Sequence, residues 1–280
     1  MDQNATTVAL TALSEWWEDM GVEVDQAAIK AAIEGASTPK SANSTASKDQ
    51  KSATSPETGL FPTSQRSRSG PKSVEDWIAE AESLAAAATN LPSLKAAIES
   101  FEGCDLKKLC NKTVVYDGTI GAPVMVLGEG PGGNEDQIGL PFVGKAGQLL
   151  DKMLTAIGLD RKINTFISNV NYWRPPGNRN PDKDELAVCR PFVNRMVDLA
   201  QPKVIIAAGG VAAKSLLDTT TGIMRLRGSE RPFITPAGTE VPMFPMFHPA
   251  YLLRRSQDKS RAWRDLLLVQ ERLREMGVDI

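Results

Sequence analysis

The sequence predicts an α/β protein, a three-layer α/β/α sandwich with a central four-stranded parallel sheet, plus an N-terminal helical extension. Two observations support this fold class. From Val124 onward, short apolar runs alternate with amphipathic stretches of helical spacing, the pattern of a parallel sheet with helices on both faces. A polar or glycine-rich loop follows each apolar run, and ligands bind at the carboxyl ends of such strands.

Three segments are predicted along the 280 residues. Residues 1–36 form a helical segment, because apolar residues such as Leu10 and Trp17 recur at helical spacing. This segment either packs on the main domain as an appendage or docks a partner. Residues 37–72 are rich in Ser, Thr, Pro, Lys and Gln, which predicts a disordered linker. Residues 73–280 form the main domain.

The elements of the main domain follow from apolar spacing and from capping residues. Ser73 is placed to cap the first helix, and Trp77 lies on its apolar stripe. Helices are predicted over residues 73–87, 92–101, 147–157, 181–200, 210–217 and 261–276. Strands are predicted over residues 124–127, 166–170, 204–208 and 243–247. The loops after these strands hold Glu129, Asn169, Gly209 and His248, so we expect these residues at one edge of the sheet.

The first predicted strand runs directly into a glycine-rich turn that contains Gly128, Gly130, Pro131 and Gly132. Such a turn lets the backbone approach a ligand closely, so we expect these residues to contact one. The glycines also fit a loose GxGxxG dinucleotide motif, but prolines and glycines interrupt the helix that this motif requires. The stretch LPFVGKAG that follows places Phe142 between a proline and a valine-glycine pair, just before a helix.

Charge and cysteine content permit a nucleic-acid-binding surface and argue against a secreted disulfide-rich protein. The net charge is −2, but residues 171–280 carry 17 basic and 12 acidic residues, whereas residues 1–170 carry 15 and 22. Phosphate contacts need only a local positive surface, which the C-terminal part can supply. Three scattered cysteines do not suggest a secreted disulfide framework, and no apolar run approaches the ~20 residues that span a bilayer. We expect a cytoplasmic protein without a membrane partner.

Three motifs occur in order: GEGPGGNED with PFVGKAGQLL, then SNV followed by RPPGNRNP, then HPAYLLR. Together they resemble the family 4 uracil-DNA glycosylases, and the resemblance covers roughly residues 103–273. It implies removal of uracil from DNA by base flipping, which leaves an abasic site and needs no organic cofactor. The expected partner is uracil-containing DNA, single- or double-stranded, and we expect a monomer.

The resemblance also implies roles for individual residues. Phe142 stacks on uracil, Asn169 reads the edge of the base, and His248 stabilises negative charge on the leaving base. A carboxamide suits this task because it can donate to O4 and accept from N3–H of uracil. Asn169 could instead form an Asx turn, and Phe142 and His248 could be structural. Glu129, with the Glu135–Asp136 pair as further candidates, supports the pocket and orients water, or only braces the loop.

Two loops are expected to contact DNA. In HPAYLLR and the arginine after it, Leu252 and Leu253 suit a wedge in the duplex, and Arg254 and Arg255 suit phosphate contacts. The alternative for this loop is the start of a helix whose leucines lie in the core. In RPPGNRNP, the expected DNA contacts are Arg174 and Arg179, together with Asn178.

The chain departs from the resemblance in its cysteines. Most family 4 members hold a 4Fe-4S cluster on four cysteines, and this chain keeps only Cys104 and Cys189 at those positions. Lys107 and Trp173 occupy the other two, and Cys110 lies off the pattern. We therefore expect no cluster and no metal, with a retained 4Fe-4S cluster as the alternative.

Two other functions stay open on the sequence. One is a uracil-DNA binding protein with little or no turnover; related binders use a basic, histidine-containing insert near the second motif. Because His248 is the only histidine in the chain, turnover is favoured. The other is a nucleotide-binding domain, on the strength of the glycine turn alone.

Overall fold

A computed structural model describes residues 72–280, together with Thr11, Ser14 and Glu18. The predicted helical segment (residues 1–36) and linker (residues 37–72) therefore lie outside the described residues, apart from these three positions and Lys72. The division of the chain into these segments and a main domain stays a prediction.

Six strands form one sheet in the described part of the chain: β1 (Tyr116–Gly118), β2 (Val124–Gly128), β3 (Thr165–Asn169), β4 (Val204–Ala208), β5 (Arg231–Ile234) and β6 (Glu240–Met246). Their order is β1-β3-β2-β4-β6-β5. The central strands β3, β2, β4 and β6 are parallel, which confirms the predicted four-stranded core. β1 and β5 extend it as antiparallel edges that the sequence did not predict. β1 has only three partly buried residues and β5 buries only Phe233, so neither strand forms an apolar run.

Nine α-helices lie within residues 72–280: α1 (Val74–Ala87), α2 (Leu91–Ser100), α3 (Gly133–Ile138), α4 (Lys145–Thr155), α5 (Lys183–Ala200), α6 (Gly210–Leu217), α7 (Ile223–Leu226), α8 (Pro249–Arg254) and α9 (Lys259–Glu275). Six of them match predicted helices, with ends within about two residues, the usual uncertainty of a helix boundary. The helices α3 and α7 were not predicted, and α8 was considered only as the alternative for the HPAYLLR loop, because four to six residues are too few to show a helical period.

Reciprocal side-chain caps fix where two of the long helices begin. The Ser73 hydroxyl accepts from the Asp76 N–H, while the Asp76 carboxylate accepts from the Ser73 N–H, so the predicted cap of α1 is confirmed. Asp182 and Glu185 form the same arrangement at the start of α5. Each such cap satisfies two backbone donors that the helix itself leaves free.

Alternating strand residues build a core on each face of the sheet. In β2, Val124 and Val126 pack with α4, α8 and α9, while Met125 and Leu127 pack with α1, α2 and α5. All residues of β2, β3 and β4 are buried, as expected for parallel strands covered on both faces. The predicted three-layer α/β/α arrangement is confirmed.

Parallel pairing brings the motifs together at one edge of the sheet. Gly128, at the end of β2, lies opposite Asn169, at the end of β3. β6 ends at Met246, two residues before His248. Segments far apart in sequence therefore meet where β2, β3 and β6 end.

Candidate active site

A cavity of about 380 Å³ opens at the carboxyl ends of β2, β3 and β6. It brings together most of the residues predicted to contact the base: Glu129, Gly130, Pro131, Gly132, Phe142, Asn169 and His248. A larger groove of about 1020 Å³ borders it at Asn180 and Pro181 but contains none of Phe142, Asn169 and His248. The smaller cavity is therefore the candidate active site because of the side chains that line it, although the groove is larger.

Phe142 provides an aromatic face in the loop between α3 and α4. It is 6% exposed, and its ring stacks against the His248 ring with 5.6 Å between centroids and 26° between planes. Gly128 permits this placement, because a Cβ there would lie 2.5 Å from both Phe142 Cζ and Asn169 Oδ1. Gly128 was predicted to contact the ligand, but it does not line the cavity and instead packs beneath the Phe142 and Asn169 side chains.

Asn169 presents an amide that other groups do not use. It is the last residue of β3 and is 2% exposed. Among the described residues, none forms a hydrogen bond with its carboxamide, so the Asx turn considered for this residue is absent. That turn belongs to Asn171 instead, whose Oδ1 accepts from the Trp173 N–H at 3.3 Å. A buried amide without a protein partner is costly unless a ligand satisfies it.

The hydrogen bond of His248 sets which ring nitrogen faces the cavity. His248 is the N-cap of α8, and its Nδ1 accepts from the Ala250 N–H at 3.1 Å. Burial, assisted by the Arg254 charge and opposed by that of Glu135, lowers the pKa of His248 to about 4. The imidazole is therefore neutral at pH 7, with its proton on Nε2, and can donate one hydrogen bond.

The three candidate carboxylates have different surroundings. Burial raises the pKa of Glu129 at the cavity, and the Lys214 charge offsets part of this shift. Glu135 also lines the cavity, but its Oε1 accepts from the N–H groups of Val143 and Gly144 at 2.9 and 2.8 Å. Glu135 thus braces the Phe142 loop, which leaves Glu129 as the carboxylate without a backbone partner among the described residues.

Asp136, the second member of the predicted acidic pair, lies outside the cavity lining and is 2% exposed. Burial alone would raise the pKa of Asp136, but hydrogen bonds from Asn111 and Lys112 and the Arg174 charge lower it below its usual value. Asp136 therefore ties two loops together and has no direct place in the chemistry.

Some of the residues predicted to contact DNA line the cavity, and others do not. Arg254 and Arg179 line the cavity, although Arg179 also pairs with Glu185 at 2.6 Å, and Arg255 is exposed. Arg174 is half-buried and donates to Asn178 at 2.8 Å. Asn178 also lines the cavity, whereas Arg174 and Arg255 do not, and DNA contact by these residues stays a prediction.

One predicted DNA contact is wrong. Leu252 is fully buried and packs in the core beneath α8, so its side chain cannot enter a duplex. Leu253 is 49% exposed, and its role as a wedge in the duplex stays a prediction. The two leucines differ in burial because adjacent residues of a helix point to different faces. The sequence alone does not show which of the two faces the core.

Tyr251 lines the cavity and was not predicted from the sequence. Its hydroxyl donates to Asp258 at 2.6 Å, and its ring stacks on Phe247. Its position in HPAYLLR, three residues after His248, was the available signal, since residues three apart share a helix face.

A model of the uracil DNA glycosylase superfamily matches residues 115–267. Three proteins named type-4 uracil-DNA glycosylase are similar to this chain. The one from Pyrobaculum aerophilum is 34% identical over 182 residues, covering 64% of this chain and 92% of its own length. Those from Thermotoga maritima and Archaeoglobus fulgidus are 36% and 38% identical, covering 59% and 57% of this chain and 83% and 81% of their own lengths. The chain belongs to the type-4 uracil-DNA glycosylases.

At two positions where the family resemblance implies cluster cysteines, this chain has Trp173 and Lys107. Trp173 is fully buried, packs against Phe101 and Tyr172, and donates from Nε1 to the Thr113 hydroxyl at 3.0 Å. Lys107 donates to the carbonyls of Glu99 and Phe101. Neither side chain is available as a cluster ligand.

The two thiols of this type-4 glycosylase that remain at cluster-type positions are also poor ligands as they stand. Cys104 and Cys189 are buried and free, and burial raises the pKa of Cys104 to about 12 and that of Cys189 well above its usual value. Within residues 72–280, no group of three or more His, Cys, Asp or Glu side chains could hold a metal ion. The donor set therefore does not fit a four-thiolate cluster.

None of the helices in the described ranges is both long enough and apolar enough to cross a membrane.

Proposed function

We propose that this chain hydrolyses the N-glycosidic bond between uracil and deoxyribose in DNA and leaves an abasic site. The observation that carries the proposal is the meeting of Phe142, Asn169 and His248 around one cavity of about 380 Å³. These residues supply an aromatic face, an uncommitted carboxamide and a single hydrogen-bond donor. Family membership supports the same activity.

The reaction begins with a nucleotide that leaves the base stack and enters the cavity. Phe142 stacks on the uracil ring, and the Asn169 amide donates to O4 and accepts from N3–H. Cytosine carries an amino group and an unprotonated N3 at these places, so the same amide meets a mismatched partner on each. The carboxamide therefore provides selectivity for uracil.

Bond cleavage leaves negative charge on the departing base. The His248 Nε2–H donates to O2, and this bond strengthens as the charge develops, so it lowers the barrier more than it tightens substrate binding. The neutral ring suits this role, because a proton on Nδ1 would oppose the N–H of Ala250. Glu129 orients the attacking water and stabilises positive charge on the sugar.

The proposal extends to cofactor, partners and compartment. The enzyme works without a 4Fe-4S cluster, because Trp173 fills one ligand position with apolar surface. It acts as a monomer on single- or double-stranded DNA, with Leu253, Arg254 and Arg255 on the DNA side. Three free cysteines favour a reducing compartment such as the cytoplasm.

Incubation of the purified full chain with a uracil-containing oligonucleotide, followed by alkali, tests the activity. We expect strand scission at uracil in single- and double-stranded substrates and none in the thymine-containing control. Abasic product in excess of protein would exclude the alternative of a binding protein without turnover, whereas a covalent complex that survives denaturation would support it. Uncut uracil substrate without such a complex would contradict the proposal.

Iron analysis and the absorbance near 400 nm of anaerobically purified protein test the cluster separately. We expect iron far below the protein concentration. Stoichiometric iron with sulfide would contradict the proposed absence of the cluster.

A further inference from the structure

The residue that stacks on the base stands in an unfavourable backbone conformation. Phe142 has φ of +53°, in the left-handed region that bulky residues rarely adopt. Such a conformation is unfavourable for a bulky residue and persists only where the surroundings impose it. Contacts around the Phe142 backbone must therefore hold it.

Both polar ends of the peptide unit after Phe142 are bound by charged side chains. On one side, Arg161 Nη2 donates to the Phe142 carbonyl at 2.9 Å. On the other side, Glu135 Oε1 accepts from the Val143 N–H at 2.9 Å. Because the two groups belong to one planar peptide, these bonds fix its orientation and hence the direction of the Phe142 ring.

The helix α4 closes a third side of the same peptide. A Cβ at Gly147 would lie 1.8 Å from the Phe142 carbonyl oxygen, so the helix backbone packs directly against it. The Arg161 guanidinium donates to the same oxygen.

Arg161 is itself held in place. Its side chain is 14% exposed and pairs with Asp117 of β1 at 2.9 Å and with Asp151 of α4 at 2.7 Å. A guanidinium can serve both carboxylates and the carbonyl at once, because its donors point in fixed directions. Arg161 does not line the cavity, so it reaches the base only through Phe142.

We propose that Arg161 is a positioning residue for base stacking: its bond to the Phe142 carbonyl holds the Phe142 ring where uracil binds. The inference rests on the proposed function. It assigns a specific task to a residue that lies 19 positions from Phe142 in sequence and outside all three motifs.

A double-mutant cycle on the full chain tests this task. In the wild-type background, Arg161→Met should lower the single-turnover rate of uracil excision by about tenfold to a hundredfold, the loss expected for one charged hydrogen bond. In a Phe142→Ala background, the same change should cost less than about threefold, because its target is already gone. Arg161→Lys should recover part of the rate.

Two further readouts separate positioning from general loss of structure. Free uracil should inhibit Arg161→Met more weakly than wild type, while affinity for uracil-free DNA stays the same. Arg195→Met is the matched control, because Arg195, like Arg161, donates to a backbone carbonyl. Its Nε and Nη2 bind the Ala88 carbonyl, away from the cavity. We expect wild-type excision from it.

Equal losses from Arg161→Met in both backgrounds, or no loss in either, would overturn the inference. If Arg161→Met does not fold, Arg161→Lys enters the cycle in its place, with the same criterion. A wild-type chain that fails to excise uracil would overturn the proposed function and the inference with it. An active wild type whose excision rate Arg161→Met leaves unchanged would overturn the inference alone.

Discussion

Asn169 and Asn171 lie two residues apart at the end of β3, yet their surroundings differ completely. The Asn169 amide has no hydrogen-bond partner among the described residues and faces the cavity. The Asn171 side chain donates to the Trp173 carbonyl at 2.6 Å and accepts from the Trp173 N–H. One carboxamide is left for a ligand, and the other is used to build the turn.

The cavity beside Asn169 and the cysteine region beside Asn171 differ in the same way. The cavity side contains strained backbone at Phe142, a histidine with a depressed pKa and free polar atoms. The cysteine side is closed by packed aromatic rings around Trp173. The cavity side therefore combines a strained backbone with polar groups left for a ligand. The cysteine side is packed as ordinary core, although the Tyr172 hydroxyl is buried there without a hydrogen-bond partner among the described residues.

The largest expected effect on activity is at His248. His248→Ala should lower the single-turnover excision rate by about 10²–10³-fold, the range for removing one transition-state donor. Affinity for DNA should change far less, because the bond strengthens only as charge develops. Rapid-quench kinetics and DNA titration measure the two quantities; parallel losses in both would contradict the transition-state role.

The two asparagines should respond differently to the same change. Asn169→Asp should reduce uracil excision by about 10–10²-fold and admit some cytosine, because a carboxylate accepts from the cytosine amino group but cannot donate to uracil O4. Excision assays on matched uracil and cytosine oligonucleotides measure this. Uracil excision at the wild-type rate would exclude Asn169 as the reader of the base.

Asn171→Asp is the matched change on the structural side. It should leave base selectivity unchanged and lower the free energy of unfolding by about 2–4 kcal/mol, because it removes a buried donor and places a carboxylate in the core. Denaturant titration reports the stability. Altered selectivity with unchanged stability would reverse the assignment of the two residues.

The pH profile should reflect Glu129 more than His248. His248 stays neutral until the pH approaches about 4, so its protonation cannot reduce the rate near neutrality. Burial raises the pKa of Glu129, so the excision rate should decrease on acidification before His248 titrates. In Glu129→Gln this first decrease should be absent from the pH–rate profile. A wild-type rate that decreases only near pH 4 would argue against a role for the Glu129 carboxylate.

The smallest effect on activity is expected on the cysteine side. Trp173→Ala should reduce the free energy of unfolding by about 3–5 kcal/mol through the cavity it leaves. Excision at a temperature where the variant is folded should stay within about threefold of wild type. A much larger loss of activity in a folded variant would show that the aromatic region supports catalysis.

The sequence predicted the parallel core and the closeness of Asn169 and His248, because apolar runs locate the strands and parallel strands end at one edge. Phe142 follows no strand, and its place beside them was predicted from the family resemblance. It did not reveal the edge strands β1 and β5, whose pairing depends on the finished sheet. The burial of Leu252 depends on how α8 rotates against the core. The strain at Phe142 and its contact with Arg161 are long-range features, which local patterns do not encode.

The central claim is that one uracil lies among three side chains, and a crystal structure of the chain with bound uracil tests it directly. We predict the uracil ring on the face of Phe142, the Asn169 amide within about 3 Å of both N3 and O4, and His248 Nε2 directed at O2. Uracil bound outside this cavity, or bound within it without contact to Asn169, would contradict the account.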